Sequence, residues 1–174
     1  MNKLPPARDP IEVLGQAYEL LLEKAMEEAQ KLKEKTGPAL HQLIDASSEK
    51  LSELGELTDI EADKIASYLK RDLIEAASFM EKTGSTFKTW LAIDTDIIED
   101  YLLDRFRQAA DQTAVELNKL RSDADNAEYH TGEITGPGVL ICDKCGEQLH
   151  FHNAGHIPPC PKCRDTHYHR LLCH

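Results

Sequence analysis

Aromatic side chains are scarce. Phe, Tyr and Trp together make up 6% of the 174 residues, with a single tryptophan, so a broad globular core is not assured. No run of 18 apolar residues exists, which excludes a transmembrane helix of ordinary length. The opening "MNKLPPARDP" has no apolar signal core followed by a cleavage site, so a cytoplasmic protein with reduced thiols is expected. Cysteine is absent from the first 141 positions. Basic residues are few: 20 Lys and Arg face 31 Asp and Glu. The deficit lies wholly in residues 1–128, which carry 16 basic and 27 acidic side chains, whereas residues 129–174 carry four of each. An acidic surface repels phosphates, so the N-terminal part is a poor nucleic-acid binder. Internal repeats and low-complexity tracts are also missing.

What is present is helical periodicity, then a cysteine cluster. The first 125 residues predict four helices. Pro10 follows Asp9, an acceptable N-cap, and Ile11, Leu14, Tyr18, Leu21, Ala25 and Leu32 recur at helical spacing. "TGP" at 36–38 breaks this helix. Leu40, Ile44, Ser47, Leu51 and Leu54 mark the second, which Gly55 caps, with His41 on its surface. Thr58 and Glu61 have capping-box spacing at the start of a third helix that Gly84 stops. The fourth is expected to run from near Ser85 to near Leu120, on the order of 50 Å at ~1.5 Å per residue. Narrow stripes and charged outer faces predict a mainly α protein, an antiparallel bundle of long helices or coiled-coil hairpins. "YHTGEITGPG" at 129–138 reads as a boundary, which gives a helical domain over 1–125, a linker over 126–138 and a small domain over 139–174.

That small domain contains "CDKCGEQLHFHNAGHIPPCPKC" at 142–163. Cys142-x2-Cys145 and Cys160-x2-Cys163 are two knuckles, tight turns that each aim two sulfurs at one point. Four soft thiolates select one structural Zn²⁺ held tetrahedrally, with no open position. A redox dithiol suits one pair better than two, and an iron–sulfur centre also uses four cysteines. Short strands "GVLIC", "EQLHFH" and "THYHRLL" around the knuckles predict a three-stranded zinc ribbon.

"YHTGEITGPGVLICDKCGEQL…CPKC", together with "LTDIEADKIASYLKRDLIEAA" at 57–77, resembles the bacterial zinc ribbon-containing protein family. The resemblance spans most of residues 57–170. It implies an N-terminal helical region, a C-terminal ribbon, and Cys142, Cys145, Cys160 and Cys163 as the zinc ligands. Arg164 departs from the pattern, because the second knuckle usually ends in glycine. The family carries no established activity.

Six of the eight histidines lie from His150 onward. His150 and His152 flank Phe151, and His167 and His169 flank Tyr168, so paired strands would place four imidazoles on one face. That face is read as solvated surface, the alternative being a second metal site or a proton-sensitive surface. Cys173 and His174 are expected to fray. No nucleophile–base pair, phosphate loop or open metal site is evident, and Glu27, Glu28, Asp96, Glu99 and Asp100 read as solvated faces, so no enzyme is expected. The expected function is a protein-interaction or assembly module, with a protein partner or self-association through the helices. The alternative is an accessory factor whose ribbon contacts RNA polymerase, the ribosome or RNA. "ELGELTDIEAD" at 53–63 resembles the acidic helical tip of regulators that enter the polymerase secondary channel, although capping already explains Thr58 and Glu61.

Overall fold

The fold was taken from a computed structural model that describes residues 10–31, 37–54, 57–93, 96, 98–115 and 128–171. Among the described residues five helices come first: α1 (Pro10–Lys31), α2 (Gly37–Glu53), α3 (Asp59–Thr83), α4 (Phe87–Leu91) and α5 (Asp100–Val115). Six strands follow: β1 (Tyr129–His130), β2 (Ile134–Thr135), β3 (Gly138–Cys142), β4 (Gln148–Phe151), β5 (Gly155–His156) and β6 (His167–Arg170). The Leu32, Ile97, Leu117 and Leu120 positions, the Gly55 cap, Cys173 and His174 lie outside the described residues.

The caps of α3 form as expected. The Thr58 hydroxyl accepts from the Glu61 N–H, and the Glu61 carboxylate accepts from the Thr58 N–H, each at 3.1 Å. At the other end Gly84 has φ 68° and donates its N–H to the Met80 carbonyl at 3.0 Å. The long helices α1, α2, α3 and α5 pack on one another around one core, which includes Tyr18, Leu21, Ile44, Leu69, Leu73 and Phe106.

Two expectations for the helices are corrected. The single long fourth helix is two helices. Ala92 takes a left-handed φ of 58° and closes α4 by donating to the Lys88 carbonyl. The reason is aromatic packing. Phe87 and Phe106 would lie about 28 Å apart along one continuous helix, yet their ring centroids are 5.3 Å apart. Trp90 stacks on both, at 5.7 and 5.9 Å. Gathering the few aromatics in one cluster requires the chain to break and turn between α4 and α5. His41 is the second correction. It is buried, not on the surface, and its Nε2 lies 3.3 Å from the Thr113 hydroxyl on α5.

The C-terminal part holds a four-stranded antiparallel sheet in the order β1-β6-β3-β4 and a separate β2-β5 pair. The three expected strands correspond to β3, β4 and β6. The sheet nevertheless has four strands, because Tyr129–His130, read from sequence as linker, pairs with His167–Tyr168 at the edge. Ile134–Thr135, from the same stretch, pairs with Gly155–His156. Strand alternation divides the sheet into two faces. Tyr129, Leu140, Cys142, Tyr168 and Arg170 share the buried face. His130, His150, His167 and His169 share the other.

Candidate metal centre and its seat on the helices

Each knuckle is closed by backbone bonds. Gly146 donates its N–H to the Cys142 carbonyl at 3.0 Å, and Arg164 donates to the Cys160 carbonyl at 2.8 Å. Returning bonds run from Cys142 N–H to Glu147 and from Cys160 N–H to Asp165. The residue that ends each knuckle is left-handed: Gly146 at φ 79° and Arg164 at φ 64°. Glycine adopts this region freely, and an L side chain does so at a cost. Arg164 therefore keeps the turn that glycine would make, under strain.

The knuckles face one another. Cys142 Sγ lies 3.5 Å from Cys163 Sγ, and Cys145 Sγ lies 3.5 Å from Cys160 Sγ. All four sulfurs fall within 4.8 Å of one another. A tetrahedron of Zn–S bonds of ~2.3 Å has edges of about 3.8 Å, so the set matches one zinc ion. Burial opposes ionisation of Cys160, but the N–H donors of Cys163 and Lys162, together with the Cys145 and Cys163 thiols, lower that thiol to about 6. The Asp165 N–H favours the Cys163 thiolate, yet burial and the three neighbouring sulfurs push that thiol up to about 12. A divalent cation supplies the charge that lets all four ionise. Among the described residues no other group of three or more His, Cys, Asp or Glu side chains converges in this way.

A zinc-ribbon containing domain family matches residues 26–171. The chain belongs to that family. Relatives include the proteins named "Uncharacterized protein YbeL" of Escherichia coli strain K12 and of Escherichia coli O157:H7. Each is 30% identical over 134 residues, which cover 74% of this chain and 79% of the relative. No solved structure matches. The four cysteines of this zinc-ribbon protein are thus placed to bind one structural zinc ion.

The ribbon's seat was not anticipated from sequence. Helix α3 presents Arg71, Asp72 and Glu75 to the sheet, and β6 presents Arg170. Arg170 is fully buried. Its Nε lies 3.0 Å from Glu75 and 3.2 Å from the Tyr129 hydroxyl. Its Nη2 donates to Thr135 at 3.0 Å and lies 3.5 Å from Asp72. Its Nη1 donates to the Pro137 carbonyl at 3.2 Å. The guanidinium also lies 4.1 Å from the centroid of the Trp90 ring, a cation–π contact. Gly138 has φ 138°, and a Cβ there would collide with this guanidinium.

Asp72, itself fully buried, accepts from the Tyr18 hydroxyl at 2.5 Å, from the Gly136 N–H at 2.8 Å and from Arg71 Nε at 3.1 Å. Arg71 reaches on to Glu133 at 2.7 Å and to the Ile134 carbonyl at 2.9 Å, and lies 4.0 Å from the Tyr129 ring centroid. Burial raises the Glu75 carboxyl, opposed by Arg170 and the Tyr129 hydroxyl. Burial, reinforced by Asp72, holds the Tyr18 hydroxyl neutral. Every charge in the seat thus has an opposite partner, the condition under which buried ions are tolerated. The β2-β5 pair adds a contact to α1, where the Ala154 N–H donates to Glu19 at 3.0 Å. A sequence signal existed for the network. Asp72 falls between Leu69 and Leu73 on the apolar stripe of α3, and Arg170 falls on the inward phase of β6, two residues from Tyr168. A charge in the apolar phase of an element marks a buried pair.

Of the four histidines expected on one face, His150, His167 and His169 share it, but β4 and β6 are not neighbours, because β3 runs between them. His152 lies beyond the end of β4. His130, on the edge strand β1, joins this face and makes an edge contact with His167 at 4.9 Å between centroids. Carboxylates accompany this set. His169 Nδ1 lies 2.5 Å from Asp143, His130 nitrogens lie 3.5 Å from Glu128 and Glu133, and His167 lies 4.0 Å from Asp165. Glu27, Glu99 and Asp100 are exposed, as is Asp96, and Glu28 pairs with Lys31 at 3.0 Å. No described helix is long and apolar enough to cross a membrane.

Proposed function

We propose that this zinc-ribbon protein is a non-enzymatic, cytoplasmic protein-interaction module in which Cys142, Cys145, Cys160 and Cys163 ligate one zinc. The observation that carries this reading is the closed four-sulfur set. Four thiolates fill a tetrahedral shell and leave no position for substrate or water. The helices and the ribbon, joined through buried side chains, then act as one rigid body with a polar outer face to offer a protein partner. Self-association through the helices is the related possibility this reading includes. The alternative is an accessory factor that touches RNA polymerase, the ribosome or RNA through the ribbon. The carboxylates beside His130, His167 and His169 offset the positive charge that contact with phosphates requires, which favours a protein.

Affinity capture from lysate, with and without nuclease, tests the reading, with Cys142→Ser as the control. A discrete protein complex that survives nuclease and is lost in Cys142→Ser supports it. Recovery of ribosomal or polymerase components, with or without nuclease, favours the alternative. Hydrolytic or transfer activity that scales with zinc content contradicts it.

A further inference from the structure

We propose that the ribbon is a metal-gated cover on helix α3: zinc holds Arg170 in the Asp72–Glu75–Trp90 pocket, and loss of zinc withdraws Arg170 and opens that pocket. The inference rests on the four-cysteine zinc reading above and adds a regulatory role to it.

Three observations carry it. The ribbon's own apolar cluster is small, and two of its six buried members, Cys142 and Cys160, are placed as ligands. So small a core does not hold a sheet together once its cross-link is gone. Second, the strand that docks is also tied to the knuckle. Cys142 pairs with Tyr168 and Leu140 pairs with Arg170 in the β3-β6 register. Arg170 reaches the pocket only while that register holds. Third, the pocket is built around the guanidinium. It supplies carboxylates from Asp72 and Glu75, the Thr135 hydroxyl, the Pro137 carbonyl and the Trp90 ring. When Arg170 leaves, Asp72 keeps Arg71, Glu75 loses the guanidinium that lay 3.0 Å from it, and Thr135 and Pro137 leave with the ribbon. Buried carboxylates stripped of a partner draw in water, so the pocket hydrates and exposes the Trp90 face. Two sites, the sulfur cluster and the helix pocket, are thereby linked through one two-state element, β6.

Trp90 is the single tryptophan, so its fluorescence reports the pocket directly. The full chain, purified with zinc, is treated with a chelator under reducing conditions. Zinc release is followed by a colorimetric dye, and Trp90 emission and iodide quenching are followed in parallel. Emission is expected to shift to longer wavelength and quenching to rise several-fold, in step with zinc release and reversed by added zinc. In Arg170→Lys, which keeps the charge but loses the planar fork, the zinc-loaded protein already shows part of that shift. In Asp72→Asn the emission responds to chelation at lower chelator concentration. Zinc release with Trp90 emission and quenching unchanged overturns the cover while leaving the zinc reading intact. Protein that binds no zinc overturns both. Helical circular dichroism, recorded on the same samples, separates pocket opening from collapse. Loss of most helical signal together with the Trp90 shift means global unfolding and overturns a cover that opens on a persisting frame.

Discussion

Arg164 holds a left-handed backbone conformation that costs an L residue about 1–2 kcal/mol, partly offset because glycine loses more entropy on folding. Arg164→Gly is therefore expected to stabilise the ribbon by about 0.5–1 kcal/mol, read as a higher chelator concentration at half-release of zinc. Gly146→Ala is expected to do the reverse by a similar amount. Open space surrounds Gly146, so the effect comes from φ alone. A larger loss is expected from Asp72→Ala, about 3–5 kcal/mol in urea unfolding, because it leaves Arg71 and Arg170 buried without their shared carboxylate. The knuckle residues were legible in the sequence because Cys-x-x-Cys is a local pattern whose geometry fits within four residues. Asp72 and Arg170 are 98 positions apart, and nothing local says that one charge on an apolar phase answers the other. Their meeting is a tertiary fact, although each alone carried the signal of a charge where an apolar side chain belongs.

At the scale of elements, helix starts and stops were legible where side chains close the backbone within one turn. The Thr58–Glu61 box is such a case. Thr58→Ala is expected to cost about 1 kcal/mol in thermal unfolding. The break after α4 was not legible, since "TWLAIDTDIIED" continues an apolar pattern and Ala92 is a good helix former. The Phe87–Trp90–Phe106 cluster overrides that propensity. His41 was misplaced for a related reason. A histidine beside Leu40 reads as polar surface, yet the packing of α2 on α5 closes over it. Burial, with Lys70 adding, lowers its imidazole to about 4 from an ordinary 6.5. The unfolded chain then binds a proton that the folded chain does not between these values, so stability is full above pH 6.5 and falls as pH drops toward 4. The loss is at most about 3 kcal/mol. Urea midpoints at pH 7 and pH 4.5 are expected to lie closer together in His41→Gln than in the wild type.

Across the whole molecule, the sequence divided the chain by composition: acidic helices, a Gly- and Pro-bearing stretch, a neutral cysteine-rich end. Residues 129–138 read as a linker because turn residues dominate them. In the folded protein that stretch runs against α3 and supplies Tyr129, Thr135, Gly136 and Pro137 to the seat. Glycines and prolines that signal a turn also permit close backbone approach, and the sequence does not distinguish the two uses. The whole arrangement depends on one claim, that four thiolates hold one zinc. X-ray absorption at the zinc edge, combined with native mass spectrometry of the full chain, tests it most directly. One zinc per chain with four sulfur neighbours at ~2.3 Å is the expected result, and Cys160→Ser is expected to lower the sulfur count or abolish binding. Iron in place of zinc, a shell that includes histidine nitrogen, or a metal-free wild-type protein would contradict the account.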